Sequence, residues 1–161
     1  MARSERPQTN CGDCSPLRGK KMTNTTRIKP QDACVLVVED NYNNYRLITR
    51  LLAMLEVKQC EWKTSGAQVV EFADSLPRVD LILMDIHLPH EDGYQVLVKL
   101  RAHPRFMSTL VVAVTSEATQ QSLDRARQAG FDGFIGKPIS TALFPDQIRA
   151  ILQGDEVWVL A

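Results

Sequence analysis

Five polar side chains in this 161-residue chain stand where short apolar runs stop. Val35-Leu-Val-Val38 leads into Glu39 and Asp40, Leu81-Ile-Leu-Met84 into Asp85, and Leu110-Val-Val-Ala-Val114 into Thr115. Phe131-Asp-Gly-Phe-Ile135 is followed one residue later by Lys137 and Pro138. Three carboxylates gathered at one place repel one another unless a cation is shared among them. Hard oxygen donors, with waters completing an octahedron, suit Mg2+ or Mn2+. A lysine ammonium on a long stem and a threonine hydroxyl suit the oxygens of a phosphoryl group. The chemistry within reach is metal-assisted handling of phosphate. A cis peptide before Pro138 would aim Lys137 back towards the acids.

Each residue also has a plainer role. Glu39 and Asp40 could simply cap a following helix, where acids are favoured. Lys137 could be a surface lysine ahead of a trans proline, and a lone threonine at a strand end carries no signal by itself. Asp85, at the end of an apolar run and followed by a Pro and a Gly turn, shifts the balance towards a site.

Wholly apolar runs of this length fit strands buried on both faces, as in a parallel sheet covered by helices. Ligands of such open sheets sit beyond the carboxyl ends of the strands. From Cys34 onward strand and helix patterns alternate with short connections, which predicts right-handed βαβ units. A first strand is expected at about 34–38 and a first helix at about 43–56, with Tyr45, Ile48, Leu51, Leu52 and Leu55 on one face. A more polar second strand at 59–63 suits an edge, and a second helix starts near Ser65 and ends before Pro77. The third strand covers 79–84, and its helix runs from the Asp92-Gly93 turn to before Pro104. A fourth strand at 110–114 precedes a helix at about 118–129 that Gly130 stops. A fifth strand at 132–135 and a helix at about 140–152 complete the pattern. The fold class expected is α/β: a doubly wound, flavodoxin-like three-layer sandwich on a five-stranded parallel sheet, order 2-1-3-4-5. In that order the first and third strands are neighbours, so their carboxylates converge.

Charge is unevenly spread. Residues 1–30 carry seven Lys/Arg against two Asp/Glu, and residues 31–161 carry twelve against seventeen. A net of +5 at the start thus offsets −5 in the rest. The acidic part argues against a nucleic-acid face, and residues 1–31 read as a disordered basic tail. No apolar stretch approaches the ~20 residues of a membrane span, and no apolar core follows the basic N-terminus as a secretory signal requires. A cytoplasmic protein is expected. Cys11 and Cys14 form a C-x-x-C in the tail, without a second pair or nearby His for zinc and without a strand-to-helix junction for redox work. Cys34 and Cys60 read as small buried hydrophobes. Met22 is an alternative start.

Over about residues 33–152 the chain resembles the receiver domain of two-component response regulators. The matching segments are Val37-Val-Glu-Asp-Asn41, Leu83-Met-Asp-Ile-His-Leu-Pro-His-Glu-Asp-Gly93, Val114-Thr-Ser116, and Ala129-Gly-Phe-Asp-Gly-Phe-Ile-Gly-Lys-Pro138. The resemblance implies that Asp85 accepts a phosphoryl group and that Glu39 and Asp40 hold Mg2+ with it, the His87 carbonyl completing the protein's share. It implies Lys137 as the phosphate-binding lysine, and Thr115 with Phe134 as a switch pair. Ser116 and Leu88 are mild departures, where the family has a small Ala and often a Met. By the resemblance, His87 occupies a position that in this family affects how long the phosphoryl group survives; an exposed loop histidine is the plainer reading.

The resemblance implies a sensor histidine kinase or histidine phosphotransfer protein as phosphoryl donor and a protein effector downstream. It implies no enzyme activity beyond the domain's own phosphorylation and dephosphorylation. Residues 32–153 would form the receiver and 154–161 a short C-terminal tail, whose apolar Val157-Trp-Val-Leu160 is expected to pack back on the domain. With nine residues after the last helix, a stand-alone, DivK-like receiver without DNA contact is expected, and a homodimer is a further option. The rival reading is a haloacid-dehalogenase-type phosphatase, which needs a second Asp two residues after the nucleophile; His87 stands there. A flavodoxin-like FMN binder would need a Ser/Thr/Gly-rich loop after the first strand, which is missing.

Overall fold

The computed structural model describes residues 27–161, and the cysteines and alternative start of the N-terminal segment lie outside that range. The strands are β1 (Cys34–Val38), β2 (Gln59–Lys63), β3 (Leu81–Met84), β4 (Leu110–Thr115), β5 (Gly133–Gly136) and β6 (Val157–Val159). Between them run α1 (Tyr42–Met54), α2 (Val69–Ser75), α3 (Gly93–Ala102), α4 (Gln120–Ala129) and α5 (Phe144–Leu152). All strands pair in parallel, in the order β2-β1-β3-β4-β5-β6.

Successive side chains of a strand point to opposite faces, so an apolar run feeds two cores at once. Leu36, Val38, Ile82, Met84, Val111, Ala113 and Phe134 pack with residues of α2, α3 and α4. Val35, Val37, Leu81, Leu83, Val112, Val114 and Ile135 pack with residues of α1 and α5. This double use explains why β1, β3 and β4 are apolar up to the Thr115 that ends β4, whereas the edge strand β2 carries polar residues.

Among the described residues the sheet has six strands rather than five. After α5, Gly154 takes φ 92° and the chain turns back, bringing Val157-Trp-Val159 alongside Gly133-Phe-Ile135. Three residues are too short for periodicity to reveal a strand; the open edge of β5 recruits them. The packing of this segment on its own domain is as expected. At the other end, Ile28, placed in the basic tail by composition, donates its N–H to the Leu152 carbonyl at 3.0 Å and packs on the α1/α5 core. A 3-10 turn at Pro30–Asp32 follows it.

Three helices start later than periodicity implies. α2 begins at Val69, after Gln68 adopts a left-handed φ of 60°. α4 begins after Thr119, whose hydroxyl accepts the Ser122 N–H while the Ser122 hydroxyl accepts from Thr119 N–H. α5 begins at Phe144 with Pro145 in its first turn, a place where the missing N–H costs nothing. Asp92 caps α3 with a reciprocal bond to Gln95. The β3–α3 connection is close-packed: a Cβ on Gly93 would meet the Asp85 carbonyl oxygen at 2.8 Å.

Candidate functional site

Glu39, Asp40, Asp85, Thr115 and Lys137 meet at the carboxyl edge of the sheet. β1 and β3 are in register from Val35↔Leu81 to Val38↔Met84, so the acids that follow both strands emerge side by side. One carboxylate oxygen from each of Glu39, Asp40 and Asp85 lies within 4.8 Å of the others. Glu39 is 1 % exposed and Asp85 6 %, while Asp40 is exposed. Burial of like charges at such spacing costs free energy unless cations approach.

Lys137 supplies one. Its Nζ lies 2.7 Å from Glu39 Oε2 and 2.5 Å from Asp85 Oδ2, spanning 98 and 52 residues of sequence. Burial pulls the Lys137 pKa down, but the hydrogen bonds and charges of Asp85 and Glu39 outweigh it, and the ammonium is held above its ordinary range. The Lys137–Pro138 peptide is cis, and the Lys137 N–H donates to the Thr115 carbonyl at 2.8 Å.

The plainer role of Glu39 and Asp40 as helix caps falls to a different residue. Asn41 caps α1, its side chain accepting from the Asn43 and Asn44 N–H groups. Glu39 Oε1 accepts instead from Asn41 N–H at 3.2 Å and from the Asn44 amide at 3.1 Å. Trp62 Nε1–H donates to the Glu39 carbonyl at 2.8 Å, and its ring stacks on Tyr45 with centroids 4.1 Å apart. The Asp85 carboxylate accepts the His87 N–H at 2.9 Å. Thr115 is fully buried, and its hydroxyl accepts the Glu117 N–H at 3.2 Å. His87 Nε2 lies 2.9 Å from Glu117 Oε2, which joins the loops after β3 and β4 at two exposed side chains. Phe134 is fully buried on the α4 side of β5.

Sequence reasoning left several of these contacts unassigned. Asn41 is a preferred cap type directly before an amphipathic helix, so its role had a signal. The indole of Trp62 and the carboxylate of Glu117 had none, because their partners are brought by other strands. Cys34 and Cys60 are half-buried rather than buried; burial pushes the Cys60 thiol up to about 11.

One lysine against three carboxylates leaves the site negative. The donor set consists of hard oxygens, which fits Mg2+ or Mn2+. A strand order with β1 and β3 adjacent, three acids beyond them and a lysine after β5 defines a phosphate-handling receiver.

Residues 35–149 match the response regulator receiver domain, and the chain belongs to that family. It is a receiver domain of two-component signalling. The polar-differentiation response regulator DivK of Brucella anthropi is 34% identical over 118 residues, which cover 73% of this chain and 94% of that protein. The signal transduction histidine-protein kinase BarA of Escherichia coli K12 is 38% identical over 105 residues. That match covers 65% of this chain but 11% of the kinase. Among solved structures, the receiver domain of the sensor histidine kinase PA1611 of Pseudomonas aeruginosa PAO1 superposes with a TM-score of 0.66 at 31% identity, covering 76% of this chain and 98% of that one. That structure has a magnesium ion coordinated in its active site cleft. The haloacid-dehalogenase reading finds no support in the fold or in these relatives. No helix among the described residues is long and apolar enough to cross a membrane.

Proposed function

We propose that Asp85 is the phosphoacceptor, taking a phosphoryl group from a phospho-histidine on a sensor kinase or phosphotransfer protein. One observation carries this reading: a nearly buried Asp85 shares the Lys137 ammonium with Glu39 at the carboxyl edge of the sheet. Glu39, Asp40, Asp85 and the His87 carbonyl would hold Mg2+ or Mn2+. A bound divalent cation neutralises the carboxylates and the phosphoryl oxygens.

The Asp85 carboxylate oxygen attacks phosphorus in line as the P–N bond to the donor imidazole breaks, and the imidazole leaves with the bonding pair. Lys137, already beside Asp85, pairs with a phosphoryl oxygen and stabilises the charge developing there. The acyl phosphate bears close to two negative charges, about one more than the carboxylate it replaces. The Thr115 hydroxyl, which accepts the Glu117 N–H, then moves to donate its O–H to a phosphoryl oxygen, and Phe134 repacks towards the space vacated. The α4–β5–α5 surface carries the output to a protein effector. The domain acts on no substrate other than its own phosphoryl group, in the cytoplasm, with residues 32–153 as the receiver.

Intact mass after treatment with acetyl phosphate and Mg2+ tests the reading. A gain of about 80 Da per chain, lost in Asp85→Asn, is expected; undiminished labelling of Asp85→Asn removes Asp85 from the role. Sustained turnover of para-nitrophenyl phosphate would instead mark a phosphatase.

A further inference from the structure

β6 covers the edge of β5, on the surface assigned above to output. Trp158 pairs in register with Phe134 and packs on the same core. From α4, the Arg127 guanidinium lies 4.5 Å from the Trp158 ring centroid. The segment therefore ties α4 to the far side of β5 through one ring and three strand residues.

The end of the segment reaches the phosphate-handling loops. A Cβ on Gly136 would meet the Ala161 nitrogen at 2.6 Å, the Ala118 Cβ at 2.7 Å and the Leu160 carbonyl carbon at 3.1 Å. Gly136 is the register partner of Thr115 and the neighbour of Lys137. Ala118 lies on the loop that follows Thr115. Residues 160–161 are thus lodged where the β4–α4 and β5–α5 loops meet, at a glycine with no room for a side chain. Phe134 is a register partner of β6, and Gly136, the register partner of Thr115, is the residue on which 160–161 lodge.

β6 is also the element best suited to detach. It is three residues long, pairs on one side only, and leaves Val159 and Leu160 more than a third exposed. Short edge elements with few buried contacts open at the low end of the local stability range.

We propose that Val157–Ala161 is an internal cap on the α4–β5–α5 face, docked in the unphosphorylated chain and released when Asp85 carries a phosphoryl group. This rests on the acceptor reading given above. The trigger is loss of the Phe134–Trp158 packing together with displacement of Ala118 against Gly136. Coupling is reciprocal, so removing the cap favours the phosphorylated form.

Hydrogen exchange read by mass spectrometry on the full chain, with intact mass taken in parallel, tests both halves. In untreated protein the amides of 157–160 should exchange roughly tenfold or more slower than free peptide, yet faster than those of β1. Trp158→Ala should speed exchange at 157–160 and 133–136 by about tenfold while α1 and β1 keep their protection. Arg127→Gln, which removes only the cation over the ring, should do the same more weakly. Free-peptide exchange at 157–160 in untreated protein overturns the cap, whatever phosphorylation does. In samples that intact mass shows to be labelled, exchange at 157–160 should rise about tenfold; unchanged protection there overturns the release. Absence of added mass overturns the acceptor reading and the release with it, while the untreated samples still judge the cap.

Discussion

The two ends of the sheet handle charge in opposite ways. At the amino end, carboxylates and guanidiniums are matched. Asp132 Oδ2 accepts from Arg101 at 2.6 Å and from the Val111 N–H at 2.9 Å. Arg101 donates further to the carbonyls of Thr109 and Gly130. Asp80 Oδ2 accepts the Cys34 N–H at 2.8 Å and pairs with Arg78 at 2.9 Å. Each acid there binds an N–H at or near the start of a strand and one arginine. At the carboxyl end three carboxylates cluster, and one lysine pairs with two of them, Glu39 and Asp85. Matched charge fixes the frame, and unmatched charge leaves a demand that ligands can meet. Two clusters of similar composition thus do different work because their sums differ.

The sharpest way to break this contrast is Asp85→Asn. It should abolish phosphoryl uptake, read as added mass with acetyl phosphate, while the thermal midpoint without metal stays level or rises because one of three mutually repelling charges has gone. A strong fall in that midpoint would make Asp85 a frame residue like Asp132.

Lys137→Ala should slow uptake by about a hundredfold, the scale of one lost oxyanion donor. It should also lower stability near neutral pH, since Glu39 and Asp85 lose their shared cation. The folded pKa of Lys137 is raised above the ordinary 10.5, so its contribution is full below that value and is lost as pH rises through the folded one. Urea midpoints of the two proteins should therefore differ at pH 8 and converge at strongly alkaline pH; a gap that widens with pH would contradict the ion pair.

At the other end, Arg101→Ala should cost about 2–3 kcal/mol in urea denaturation, because Asp132 and the carbonyls of Phe106, Thr109 and Gly130 lose a donor in a half-buried place. The folded fraction should still label at the normal rate. Slower labelling at equal folded fraction would mean that the two ends are coupled.

The smallest effect is expected at exposed Asp40. Asp40→Ala should weaken Mg2+ binding roughly tenfold and raise the thermal midpoint of the metal-free protein slightly by easing repulsion. Unchanged Mg2+ affinity in both Asp40→Ala and Glu39→Ala would remove the acids from a metal role.

Much of this arrangement was legible in the residues. Fully buried parallel strands have no polar face, so Val35–Val38, Leu81–Met84 and Leu110–Val114 announce themselves as uninterrupted apolar runs, and the first polar residue after each marks the sheet edge. Glu39, Asp85 and Thr115 followed from that rule, Asp40 and Lys137 from the residues next to such edges, and the structure places all five at one edge. What local pattern could not give is any contact made across strands. Whether the Glu39 carboxylate would serve α1 or pair across the sheet depended on where Lys137 came to lie.

The sequence by itself determined the alternation of strands and helices from β1 to α5 and the identity of the acids, because burial on both faces dictates residue type along each strand; the strand order it led one to expect is the one the structure shows. Only the tertiary structure decided that Lys137 would bridge Glu39 and Asp85, that Trp62 would hold the Glu39 carbonyl, and that Glu117 would meet His87. It also decided that Val157–Val159 would become a sixth strand and Ile28 part of the core. Side-chain partners set by the meeting of strands, and short segments recruited by an open edge or an apolar face, have no period in sequence. Their conformation is chosen by the surface they land on.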